Sequence, residues 1–306
     1  MSGSHGTRDR FCVAPGGDRV CYRTNGDPHD PPLLLIAGLT LDLTSWPPAM
    51  VDGLVDRGFF VIRFDNRDVG RSTWATSTPP GPVRQLARRP RRDGYDLADM
   101  AADAVGLLDH LGVERTHLVG MSMGGMIAQT IAARHPHRAV TLTSIFATTG
   151  ARSVGQPAAS TLALLAKPPA RTREGFIARH LELTRHIASP RMPWDEAAAA
   201  AYAAGAWERG PGPTAGAGVS RQINAIMKSG DRTAELRGID APTLVIHGDR
   251  DLIVHPSGGL ATAAAIAGAR HVTIAGMGHD LAPEAVGRLV PMIADHAHSA
   301  ARPVRG

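Results

Sequence analysis

Lysine is almost absent from this chain: Lys167 and Lys228 stand alone against a large excess of arginine. That bias is the mark of GC-rich coding and assigns no binding task. The formal charge of +5 is mild for 306 residues, and aromatics make up only 4%. No basic helix or aromatic-studded sheet accompanies the charge, so a nucleic-acid partner is not expected. Long apolar runs are also missing. Leu33-Leu34-Leu35-Ile36-Ala37 is only strand-length, which excludes a membrane-spanning helix on sequence grounds. Met1 to Arg10 is polar and lacks the apolar stretch of a signal peptide. The expectation is a soluble, cytoplasmic protein. Cysteine is limited to Cys12 and Cys21. If Gly16-Gly17 were a two-residue hairpin turn, Cys12 would face Cys21 across the strands, yet reduced, half-buried thiols are the favoured reading. The 14 histidines form no HExxH or Cys/His cluster, and Gly258-Gly259 lacks dinucleotide spacing, so neither metal nor cofactor is expected.

Hydrophobic residues reach 43%, enough for one large core. Short apolar runs recur at 11–13, 20–22, 33–36, 59–64, 117–119, 140–145, 243–246 and 271–274. Several are apolar throughout, as in strands buried on both faces. Helical patterns alternate with them. One starts after Ser45 as N-cap and runs to about Arg57; another runs from an Asp96 cap to Leu111. This alternation predicts an α/β fold with a mostly parallel eight-stranded sheet covered on both faces. Between about 150 and 235 the alternation stops, and the chain becomes Ala-rich, helical and broken by prolines. The expected division is a core in two parts, 1–148 and 237–306, with a helical cap at 149–236. Residues 73–94 read as a loop; Arg84, Arg88, Arg89, Arg91 and Arg92 there fit a solvated surface better than a site for an acidic carrier. His180, His186, Trp194 and Trp207 read as packing within the insertion.

Chemistry concentrates at Gly120-Met121-Ser122-Met123-Gly124-Gly125, between a strand and a helix. A serine there is held in a strained turn with its hydroxyl above the sheet edge. A serine hydroxyl needs a base, a group to orient the base, and donors for the oxyanion. His279 follows Gly276-Met277-Gly278 just past the last strand and is the candidate base. Past the preceding strand lie Asp249 and Asp251, either of which fits the acid. The strand ending at Ile145 offers no carboxylate before Gly150. The Met123 amide, at a helix N-terminus, and the Leu39 amide, in the loop after 33–36, are the candidate oxyanion donors.

With these residues assembled, the sequence resembles the α/β-hydrolase superfamily, in the chain order Ser…Asp…His. The motifs are Ala37-Gly38-Leu39, Phe64-Asp65-Asn66-Arg67-Asp68-Val69-Gly70-Arg71-Ser72, Gly120 to Gly125, Gly248-Asp249-Arg250-Asp251 and Gly276 to His279. The resemblance implies that the acid is Asp251, three residues after Gly248, giving a triad of Ser122, Asp251 and His279. Ala37 stands where a histidine is commoner, and Asp68 where glycine is usual. The pattern is most similar to actinobacterial serine esterases of the aclacinomycin methylesterase type, which carry a helical cap between the sixth and seventh strands. An esterase or lactonase acting on a small hydrophobic molecule is the implied activity. Cofactor-free perhydrolysis or haloperoxidation, ring closure or C–C cleavage in secondary metabolism, and non-catalytic reception share the same constellation.

Overall fold

The computed structural model describes residues 8–301. The reading of Met1 to Arg10 therefore falls mostly outside the described residues. Eight strands form one sheet: β1 (Arg10–Val13), β2 (Arg19–Asn25), β3 (Pro32–Ile36), β4 (Phe60–Phe64), β5 (Thr116–Met121), β6 (Ala139–Ile145), β7 (Thr243–Gly248) and β8 (Arg270–Ile274). Their spatial order is β1-β2-β4-β3-β5-β6-β7-β8. β2 runs antiparallel to both its neighbours, and every other pairing is parallel. The helices are α1 (Pro48–Val55), α2 (Pro82–Leu86), α3 (Leu97–His110), α4 (Met123–Arg134), α5 (Ala159–Leu165), α6 (Arg173–Ile187), α7 (Glu196–Arg209), α8 (Ala215–Ser229), α9 (Thr233–Leu236), α10 (Ser257–Ala265) and α11 (Pro283–Ala301).

The unbroken apolar strands are explained by two cores. Leu34, Ile36 and Ile62 pack with Leu97, Met100, Ile127 and Ile131 on one face. Leu33, Leu35 and Val61 pack with Met50, Leu54, Leu289 and Ile293 on the other. Successive strand residues point to opposite faces, so a strand covered on both sides must be apolar at every position. α3 begins as expected: Asp96 accepts from the amides of Ala98 and Asp99, and the Asp99 carboxylate returns the bond to the Asp96 amide.

Three local expectations are corrected. The first hairpin turns through Ala14 to Asp18, with the Ala14 amide donating to Asp18 O, so it is longer than a Gly16-Gly17 turn. The register becomes Phe11 opposite Cys21 and Cys12 opposite Val20. A one-residue slip sends the two thiols to opposite faces, and both cysteines are free and buried. Ser45 is not an N-cap. Asp42 caps a short 3₁₀ turn at Leu43–Ser45, and α1 starts afterwards with Pro48 in its first turn. Residues 73–94 are not all loop, because Pro82 opens the short α2.

Helices α5 to α9 all fall between β6 and β7. α6 and α7 lie antiparallel: Arg173 pairs with Glu208, Phe176 packs on Trp207, His180 on Tyr202, and Arg185 pairs with Glu196. Arg185 also covers Trp194, and His186 bonds Thr161, so the aromatic and histidine residues of this region do pack within it. Two arginines fasten the insertion to the turn after β4. Arg209 reaches Asp9, Asp42 and Asp65, each at 2.7–2.8 Å. Arg221 grips Asp68 with two nitrogens, at 2.8 and 2.6 Å. Asp68 also accepts from the Tyr95 hydroxyl and the Ala75 amide. Its φ is 64°, in the left-handed region that favours glycine, so the aspartate takes this turn at a backbone cost while bonded to Arg221, Tyr95 and Ala75.

Burial alone would disfavour the Arg209 charge, but the three carboxylates hold its guanidinium above the ordinary range. Removing it leaves Asp42 and Asp65 buried without their arginine, while Asp9 keeps Arg23 and Arg71. Arg209→Ala is therefore expected to lower the unfolding free energy by about 3–5 kcal/mol, read from urea denaturation. An unchanged midpoint would show that the insertion is held by other contacts.

Candidate active site

The elbow is shaped by crowding. A Cβ on Gly124 would lie 2.0 Å from Ile36 O, and one on Gly120 would lie 2.2 Å from Gly124 O. Glycine at both positions lets the first turn of α4 press against the ends of β3 and β5. Ser122, between them, has φ 56° and ψ −123°. That strain, about 1–3 kcal/mol for a non-glycine residue, is sustained by the surrounding packing. The amide of Ser122 donates to Ile145 O, and Ser122 O accepts from Met126 at the start of α4.

The structure brings three of the sequence-identified residues into a hydrogen-bonded line. His279 Nε2 lies 3.0 Å from Ser122 Oγ, and His279 Nδ1 lies 2.7 Å from Asp251 Oδ2. A carboxylate can only accept, so Nδ1 carries the proton and Nε2 is free to accept from the serine hydroxyl. Phe146 supports the imidazole, with ring centroids 4.4 Å apart. Asp249 does not join this line. Its Oδ1 accepts from the Gly276 amide at 2.6 Å and fixes the turn that precedes His279. The ambiguity between the two aspartates is thereby resolved in favour of Asp251 as His279's partner.

Asp251 is gripped from every side. Oδ1 accepts from the amides of Ile253 and Val254, each at 2.8 Å. Oδ2 also meets His247 Nε2 at 3.2 Å. His247 Nε2 lies 2.8 Å from Val254 O as well, so this nitrogen carries the proton and donates to both. A Cβ on Gly259 would fall 2.5 Å from His247 Nδ1, so glycine makes room for the ring. Burial by itself would raise the Asp251 carboxyl. Its electrostatic interaction with His279 and the donors from His247 and His279 outweigh burial and hold it well below the usual carboxylate range. His247 was not singled out from sequence; its signal was its place four residues before Asp251, at the end of the buried β7.

Met123 is the first residue of α4, where helix amides have no intrahelical acceptor. Leu39 follows Gly38, and a Cβ at Gly38 would come within 3.2 Å of Ser122 Cβ. The β3 loop therefore runs beside the serine. It is held by Asn66 Nδ2 donating to Ala37 O and by the Thr40 amide donating to Gln222 Oε1 from α8. Among the described residues, no cluster of ligands could hold a metal ion. The arginines of 84–92 lie apart from this line: Arg91 pairs with Asp93, and Arg88 reaches Gln156 at the surface.

A strand–serine–helix elbow, with a histidine and an aspartate supplied by the last two strands of a mostly parallel sheet, defines a class. The α/β-hydrolase fold family matches residues 31–286, and the chain belongs to it. The chain is 34% identical over 284 residues to rhodomycin D methylesterase DnrP of Streptomyces peucetius, covering 84% of this chain and 87% of that one. It is 28% identical over 247 residues to a non-heme haloperoxidase of Rhodococcus erythropolis, covering 80% and 82% of the two chains. The crystal structure of the enol-lactonase from Burkholderia xenovorans LB400 superposes with a TM-score of 0.71 at 25% identity, over 94% of this chain and all of the other.

Asp251→Asn would turn a carboxamide NH₂ toward groups that only donate. The expected outcome is a loss of about 10³–10⁴ in kcat with folding retained, measured by steady-state kinetics beside circular dichroism. A loss under tenfold would remove Asp251 from its assigned part.

Proposed function

We propose that the protein is a carboxylic ester hydrolase that works through an acyl-enzyme on a small hydrophobic ester. The observation that carries this reading is the continuous line Ser122–His279–Asp251, with contacts of 3.0 and 2.7 Å. Ser122 Oγ attacks the ester carbonyl while His279 Nε2 takes its proton. The tetrahedral oxyanion is stabilised by the amides of Leu39 and Met123, aided by the N-terminus of α4. On collapse the alcohol leaves with the proton from His279. Water, deprotonated by the same nitrogen, then attacks the acyl-enzyme and releases the acid. Asp251 keeps the imidazole in the tautomer and orientation that both half-reactions require. No cofactor enters this scheme.

Within this proposal, residues 149–236 form a cap over the elbow, between core parts 1–148 and 237–306. Contacts of Gln222 with Thr40 and of Tyr202 with the Asp42 amide support that placement, since both link the insertion to the loop beside Ser122. The methylesterase relative supports a methyl ester as the bond cleaved, with methanol leaving. The partner is then a small molecule, with no role for nucleic acid. Among the described residues no helix is long and apolar enough to cross a membrane, which fits the cytoplasmic placement we favour.

Turnover of p-nitrophenyl acetate and methanol release from hydrophobic methyl esters are expected for the wild type. Ser122→Ala should reduce both to background, a loss of about 10³-fold or more. Equal rates in the two proteins would refute the assignment. Acetate-dependent peroxyacid formation exceeding ester turnover would select perhydrolysis, the activity class nearest the haloperoxidase relative.

A further inference from the structure

We propose that Ser189 is a positioning residue for His279, and that the segment from Ile187 to Arg191, where α6 ends, holds the base in register with Ser122. The proposal rests on the ester-hydrolase reading above.

Three consecutive residues at the base are each bonded to this segment. The His279 amide donates to Ile187 O at 2.9 Å. The Gly278 amide donates to Ser189 Oγ at 2.9 Å. On the far side, the Ser189 hydroxyl and amide both donate to Asp280 Oδ1, at 2.5 and 3.0 Å. Because the Gly278 amide donates into Ser189 Oγ, the hydroxyl proton is directed at Asp280. Ser189 thus bridges the two neighbours of His279, and it is only 3% exposed. Burial raises the Asp280 carboxyl, and the two Ser189 donors work against that rise.

The approach is as close as at the elbow. A Cβ on Gly278 would fall 2.3 Å from Ile187 O, and one on Gly276 would fall 3.1 Å from Arg191 Cβ. The Gly-x-Gly before His279 therefore does more than form a turn: it admits a backbone segment from the insertion. Near its middle α6 carries His180, whose ring packs 5.3 Å from that of Tyr202. The Tyr202 hydroxyl accepts from the Asp42 amide in the loop after β3. α6, through Tyr202 of α7, thus connects the loop after β3 with the backbone of the base. A shift of about 1 Å at a reacting group can cost 10²-fold in rate, so the clip acts on catalysis through geometry.

The test uses the full chain, with competent sites counted by fluorophosphonate labelling of Ser122 to completion. Per titrated site, Ser189→Ala should lower kcat about tenfold with KM changed less than twofold. Asp280→Ala should do the same, while Asp280→Asn, which keeps the acceptor oxygen, should stay within about threefold of wild type. The Ser189→Ala/Asp280→Ala double variant should be no slower than either single, because both remove one clip. Unchanged titrated kcat, a loss confined to KM, or losses that multiply in the double variant would overturn the proposal. If Ser189→Ala does not fold, the Asp280 pair decides: equal rates for Ala and Asn refute the clip. A wild-type protein that takes up no fluorophosphonate would instead overturn the ester-hydrolase reading itself.

Discussion

The tight approach of α4 to β3 sets the position of everything reactive. Helix α4 starts so near the end of β3 that no side chain fits at Gly124, where a Cβ would meet Ile36 O at 2.0 Å. That contact leaves one path for the chain between β5 and α4, and Ser122 lies on it with φ 56°. Three consequences follow from the one constraint. The hydroxyl projects above the sheet, the Met123 amide sits at a helix N-terminus, and the β3 loop passes beside the serine. The strain is local, while the packing that sustains it is spread over both cores.

The other half of the site rests on a balance of charge rather than of space. A carboxylate with 4% exposure would ordinarily be costly to ionise. Asp251 is surrounded by donors only: two amides and two imidazole nitrogens. It therefore stays anionic, and an anion there permits only one tautomer of His279. His247 shares Oδ2 with His279 but spends part of its proton on Val254 O. The base is thus not alone on its acid, and the acid cannot rotate to either neighbour without losing a bond.

What sequence could disclose depended on how locally each feature is determined. Leu33 to Ile36 is legible as a doubly buried strand because burial on both faces erases polar alternation. Gly120 to Gly125 is legible because strand, turn and helix are contiguous. The pairing of Cys12 failed by one position, since register depends on how many residues the turn takes up, and Ala14 to Asp18 took more than two. Asp249 and Asp251 are equivalent on spacing alone, and both reach the loop after β8; the difference is that Asp251 meets the His279 ring while Asp249 meets the Gly276 amide. Arg209, Arg221 and Ser189 could not be chosen at all. Their partners lie 144, 153 and 91 residues distant, and the Ala-rich helices around them carry no pattern that marks these positions. One signal did exist: Asp68, standing where the family usually has glycine, was an acidic residue in a left-handed position that needed a reason.

That reason bears on how the insertion works. Arg209 and Arg221 join it to the turn after β4, and Ser189 joins it to the loop after β8. Buried ion pairs contribute little net stability, because desolvation offsets their attraction, but they penalise every arrangement that separates them. An insertion held only by alanine-rich surfaces could slide, since small apolar contacts change little with a shift of a few ångströms. Charged anchors on one side and a hydrogen-bonded clip on the other allow only one registration of the insertion against the turn after β4 and the loop after β8.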